Sequence, residues 1–176
     1  MAERALLARE RSDGSYAAAT SRWGGTDRTL AAVCSGTPPT AVPDHSWEPR
    51  GNWPDFLSVG ASLDPLTTEL LYRVTDDETT PFLSLWFGLP LASASVNPAV
   101  GALVAVDSLP DARGLRRWFR RVKGSLADAV SAGTVPAATA PLVLVAAVTG
   151  LTGRERYLVA PDAAEPLYTN AGPDGP

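Results

Sequence analysis

The chain is poor in the side chains that most often carry metal, redox or nucleophilic chemistry: of its 176 residues one is cysteine, Cys34, and one is histidine, His45. A single cysteine excludes an internal disulfide framework, and a lone histidine beside it excludes the common zinc sites, which draw several such ligands from one chain. Long apolar runs are missing as well. The longest uncharged apolar block toward the C-terminal end, 142–151, is about half of what a bilayer-spanning helix needs. The opening stretch from Met1 to Arg11 carries charge throughout and has no signal-peptide apolar region, so a cytoplasmic protein without a membrane segment is expected.

Lysine is nearly absent. Of the 15 basic residues 14 are arginine and Lys123 is the exception, while Asp outnumbers Glu by 12 to 7, giving a pI near 4.9. Codon bias in a GC-rich genome produces this balance, because Ala, Gly, Pro, Arg, Asp and Val are all abundant. Adaptation to a salty cytoplasm produces it too, since screening shortens to about 3 Å at 1 M salt and surface acids cease to repel. What is plentiful is apolar: 45% of the residues are hydrophobic and 19% charged, a globular composition with enough material for one sizeable core.

Along the chain, the clearest local signal is at the start. Two short runs, 4–11 and 16–22, flank Ser12-Asp13-Gly14-Ser15, which predicts a β-hairpin whose Asp-Gly turn has positive φ at both central residues. Residues 27–34 suit a short helix capped by Thr26 or Asp27. The stretch 36–54 is proline-rich and reads as a loop, with Trp47 or Trp53 available to pin it inward. Strands are expected at 56–59, 68–75, 80–87 and 100–106, with Asp76-Asp77-Glu78-Thr79 as a hairpin connection and 82–87 as a central strand covered on both sides. Leu89 to Pro98 reads as a second loop.

Ser108 with Asp111 three residues on, and Pro110 in the first turn, marks a helix start. Over 109–132 the residues Leu115, Trp118, Phe119, Val122, Leu126, Ala129 and Val130 recur at spacings of three and four, the signature of one buried stripe, and Gly133 is a stop. Residues 142–148 and 154–159 read as a further hairpin around 150–153, with a helix over 137–151 as the competing reading. The tail 161–176, rich in Pro and Gly, is expected to be disordered. The expectation is one α+β domain over 1–160: a mainly antiparallel sheet of about six to eight strands with one principal amphipathic helix packed on a face.

The Arg4-Ala-Leu strand with its Asp-Gly turn and Trp23-Gly24, followed by Leu85-Trp86-Phe87-Gly88-Leu89, resembles a haloarchaeal protein family of unknown function. The resemblance covers the first hairpin and the Leu-Trp-Phe-Gly-Leu strand and implies a halophilic archaeal source and a cytoplasmic address. It implies a histidine just before the Trp-Gly pair, where this chain has Arg22. It lends no activity.

The search for chemistry is mostly negative. His45 has Asp44 and Ser46 beside it in the proline-rich loop, but adjacency along a chain does not make a triad. Cys34 has no histidine or basic cluster next to it and reads as an inert thiol. Residue 2 is alanine, which excludes an amino-terminal nucleophile at that position, and neither Trp23-Gly24-Gly25-Thr26 nor Gly150-Leu151-Thr152-Gly153 has the spacing of a P-loop. The acids at 76–78 read as a solvated turn. No cofactor and no metal site is predicted.

One cluster departs from the rest by charge. Between Pro110 and Ala132, Arg113, Arg116, Arg117, Arg120, Arg121 and Lys123 face Asp111 and Asp128, a net of +4 that leaves −8 on the remainder of a chain whose total is −4. These cations lie opposite the apolar stripe and give a core helix its polar back; alternatively Arg113, Arg116, Arg117, Arg120 and Arg121 form an anion site, since guanidinium forks match phosphate and carboxylate. The favoured function is a non-enzymatic accessory or protein-interaction domain. The alternative is a ligand-binding protein or enzyme for a small phosphorylated substrate at this helix, with Asp107 and Asp111 as its acids, or weak nucleic-acid binding there, which multimolar salt would nearly abolish.

Overall fold

The first hairpin forms with a turn different from the expected one. In the computed structural model, which describes residues 4–43, 46–89, 100–160 and 163–167, strands β1 (Arg4–Glu10) and β2 (Tyr16–Ser21) pair from Ala5–Ser21 to Glu10–Tyr16. The Gly14 amide donates to the Arg11 carbonyl at 2.9 Å and Gly14 takes φ +79°, so the loop is a three-residue turn closed by a left-handed glycine. Asp13 supports it by accepting from the Ser15 amide at 3.0 Å.

Helix α1 (Asp27–Cys34) follows, capped by Thr26, whose hydroxyl accepts from the Thr29 amide. The proline-rich stretch is more ordered than its composition predicts: Glu48–Trp53 forms β3, paired with β2. Its proline is tolerated because β3 is an edge strand, where a missing donor leaves no ladder bond unmade. Trp47 and Trp53 both pack against the core. Trp47 donates Nε1–H to the Pro39 carbonyl at 3.2 Å and meets the Tyr72 ring edge-on at 6.2 Å. A Cβ on Gly24 would lie 2.8 Å from the Trp47 ring, which explains the glycine after Trp23.

The strand expected at 56–59 is instead helix α2 (Phe56–Ala61). Asp55 accepts from the Ser58 amide at 2.7 Å, an N-cap that starts a helix, and Phe56, Val59 and Leu63 then share one buried face at helical spacing. Strands β4 (Thr68–Val74), β5 (Thr79–Trp86) and β6 (Gly101–Ala105) form as read, and α3 (Leu109–Ser131) runs unbroken through Gly114 and Gly124. The expected loop at 90–98 lies outside the described residues.

Residues 142–148 belong to a helix, α4 (Ala140–Thr149), which decides between the two readings of that stretch. Ala140, Leu144 and Val148 are buried at intervals of four while Leu142 is 67% exposed, a helical and not an alternating pattern. Strand β7 (Arg156–Ala160) therefore pairs with β6 and with β8 (Ala163–Pro166), which takes the start of the expected disordered tail into the sheet. An unpaired edge at β7 offers backbone donors and acceptors that any following extended segment can satisfy. Residues 168–176 lie outside the described residues.

The fold is α+β, and the described residues form one eight-stranded sheet in the order β3-β2-β1-β4-β5-β6-β7-β8. Every pair is antiparallel except β1–β4, where the chain returns after β2, β3 and α2. The sheet curls around α2, which touches β2 and β3 at one edge and β7 and β8 at the other. Its inner face buries Leu6, Tyr16, Phe56, Val59, Leu71, Phe82 and Leu103; its outer face buries Leu7, Leu70, Tyr72, Leu85 and Phe87 under Leu30 of α1, Leu115 and Phe119 of α3 and Leu144 of α4. β5 is covered on both sides, as its apolar run predicts. Trp118 sits at the margin of the α3 stripe, half-buried, while Phe119 is 5% exposed and meets Phe87 at 6.0 Å.

Candidate functional site

The structure divides the basic residues of α3 into three groups. Arg113 donates Nε–H to Asp27 Oδ2 at 2.9 Å, and Arg116 donates Nη1–H to Asp27 Oδ1 at 3.0 Å and lies 4.0 Å from Glu69. These two arginines latch α3 to the first turn of α1. Burial opposes ionisation of Asp27, but the bonds from Arg113 and Arg116 outweigh it and hold the carboxyl below its ordinary range.

Lys123 turns aside from the arginines. It donates to the Trp86 carbonyl at 3.0 Å, with Nζ 4.4 Å from the Trp86 ring and 5.7 Å from the Phe119 ring. Burial pushes its ammonium down to about 8. Arg117, Arg120 and Arg121 remain, all exposed and in no ion pair among the described residues.

Of the two acids considered at this helix, Asp111 is fully engaged. Both its oxygens accept from Arg154, at 2.6 Å each, its Oδ2 also accepts from the Asp107 amide, and its own amide donates to Ser108. The Arg154 bonds hold it below the ordinary carboxylate range. Asp107 is exposed. Cys34 is half-buried at the wall of a cleft of about 730 Å³ that Asp76, Asp77, Glu78 and Asp107 also line; burial, and then the charges of Asp107 and Asp111, push its thiol up. That is the reverse of nucleophile activation. His45 lies outside the described residues.

The sequence reading missed an ionic network at the mouth of the curled sheet. A cleft of about 600 Å³ is lined there by Tyr16, Phe56, Arg73, Glu155 and Tyr157. Arg73 grips Glu155 with both Nη atoms, at 2.6 and 2.9 Å, and lies 5.1 and 5.3 Å from the Phe56 and Phe82 rings. Tyr157 donates to Glu155 Oε1. Burial works against the Glu155 charge, yet Arg73 and Tyr157 together keep its carboxyl low; burial and the bond to Glu155 raise the Tyr157 hydroxyl. The network satisfies itself internally. Its members are 82 residues apart in sequence, so no local pattern announced it.

Among the described residues no cluster of His, Cys, Asp and Glu side chains is gathered to hold a metal ion, and no helix is long and apolar enough to cross a membrane. No protein-family model, curated protein or solved structure matches the chain.

Proposed function

We propose that this chain is a non-enzymatic interaction domain that docks an acidic protein surface on the outer face of α3, in the cytoplasm of a halophilic archaeon. The observation that carries the reading is the exposed triplet Arg117, Arg120 and Arg121, in no ion pair among the described residues, on a helix that Arg113 and Arg116 latch to α1. A latched helix presents its outward arginines in a fixed arrangement, which lowers the ordering cost of docking. Each guanidinium has a planar fork suited to carboxylates, a short-range pairing that salt screens less once the interface closes over it. The engagement of Asp111 by Arg154 and the raised Cys34 thiol count against a catalytic role for this region.

Affinity capture from native extract at native salt, with wild type and Arg117→Ala/Arg120→Ala/Arg121→Ala as baits, tests the reading. A discrete acidic protein is expected on the wild type, absent from the variant and able to rebind wild type after purification. Equal recovery on both baits overturns the proposal. Recovery that vanishes after nuclease treatment transfers the face to nucleic acid.

A further inference from the structure

A second basic site lies far from α3 in sequence, at the open end of the first hairpin. A cavity of about 350 Å³ is walled there by Arg4, Arg22 and Arg50 with Ser21, Trp23 and Glu48 among their neighbours. Local backbone irregularity builds it. The β1–β4 register shifts between Arg4 and Ala5, and the β2–β3 register shifts so that Ala18 faces Gly51 and Ala19 faces Pro49, leaving Arg50 opposite no residue. Such bulges re-aim side chains and recur beside binding sites. Arg22 and Trp23 follow directly on Ser21, the last residue of β2.

Two features of this cavity call for a ligand. The first is charge: three guanidiniums surround it against the single carboxylate of Glu48, none of the three is in an ion pair among the described residues, and the chain as a whole is acidic at −4. Gathering like charges is unfavourable unless a counter-charge sits between them. The second is Trp23, which lines the same cavity and is 53% exposed, an apolar surface left open beside the three charges.

We infer that this cavity binds a small phosphomonoester. A dianionic tetrahedral head suits three arginines lining one cavity better than a planar carboxylate does, and each arginine can take a phosphate oxygen by a charge-assisted bond. Trp23 is 53% exposed and offers an apolar face to the organic part of the ligand, while Glu48 accepts from its hydroxyl groups. The volume is at the lower end of the range for small-molecule pockets, about 300 to 1,000 Å³, which suits a monomeric ligand. The inference does not depend on the α3 surface.

Isothermal titration at low salt with inorganic phosphate, adenosine 5′-monophosphate and adenosine tests it, on wild type, Arg22→Ala/Arg50→Ala and Arg117→Ala/Arg121→Ala. Both phosphate compounds are expected to bind wild type saturably, the nucleotide more tightly, and adenosine not at all. Arg22→Ala/Arg50→Ala is expected to weaken the nucleotide by about tenfold or more with the circular dichroism spectrum unchanged, because both side chains are exposed. Arg117→Ala/Arg121→Ala is expected to leave it unchanged. Absence of saturable binding below about 10 mM overturns the inference. So does binding that survives Arg22→Ala/Arg50→Ala, or that is lost in the α3 variant instead.

Discussion

Arg73 of β4 and Glu155 at the start of β7 meet in a two-pronged ion pair, at 2.6 and 2.9 Å, across the mouth of the curled sheet. Arg73 is the more enclosed partner, its side chain 20% exposed against 38% for Glu155. Removing the carboxylate charge leaves a guanidinium held over two aromatic rings without its counter-ion. Glu155→Gln is therefore expected to lower unfolding free energy by about 1–2 kcal/mol, and Arg73→Met/Glu155→Gln to recover part of that loss. Urea denaturation of the single and double variants measures the coupling, and additive effects would show that the pair contributes nothing.

Phe119 and Trp118 are neighbours in sequence with different surroundings, and their truncation separates core from margin. Phe119→Ala is expected to cost about 3–5 kcal/mol, because the ring is enclosed against Phe87, whereas Trp118→Ala is expected to cost about 1–2 kcal/mol. Equal losses in chemical denaturation would place the two rings in the same environment and contradict the packing of α3.

Lys123 makes stability depend on alkaline pH. Its ammonium is pushed down to about 8 in the folded chain from an ordinary 10.5, so between these values the unfolded chain binds more protons. Stability then rises with pH across that interval and is lost again as pH falls through 8. Tyr16, Tyr72 and Tyr157, whose hydroxyls burial pushes up, lose protons first in the unfolded chain and reverse the trend above about pH 10. The melting temperature is expected to climb from about pH 8 to 10 in wild type and to lose that climb in Lys123→Met, where the raised Cys34 thiol leaves a flat or gently falling curve. A wild-type curve that falls throughout contradicts the burial of this lysine.

Salt separates the two readings of the composition. If the chain is adapted to a saline cytoplasm, its melting temperature is expected to rise between about 0.1 and 2 M potassium chloride, as screening relieves repulsion among the acids outside α3. A flat curve assigns the arginine-rich, lysine-poor composition to codon usage.

What the residues determined locally was the hairpin, the caps and the main helix. Asp13-Gly14, Thr26 before 27–34, and Ser108 with Asp111 each close a hydrogen bond within four residues, and such bonds depend on nothing distant. The stripe of α3 was equally legible, because a helix in contact with a core must repeat apolar residues at its own period. Tertiary structure decided the rest. Phe56–Ala61 and Ala140–Thr149 are short apolar stretches whose composition suits strand or helix, and burial of one face of successive turns against the sheet selected helix. Glu48–Trp53 and Ala163–Pro166 became strands because open edges at β2 and β7 offered them partners. The same holds for charge: along the chain Arg113, Arg116 and Lys123 are indistinguishable from Arg117, Arg120 and Arg121. Asp27 and Trp86, contributed by other elements, separate the engaged cations from the exposed ones, and the cavity of Arg4, Arg22 and Arg50 exists because three strands end together.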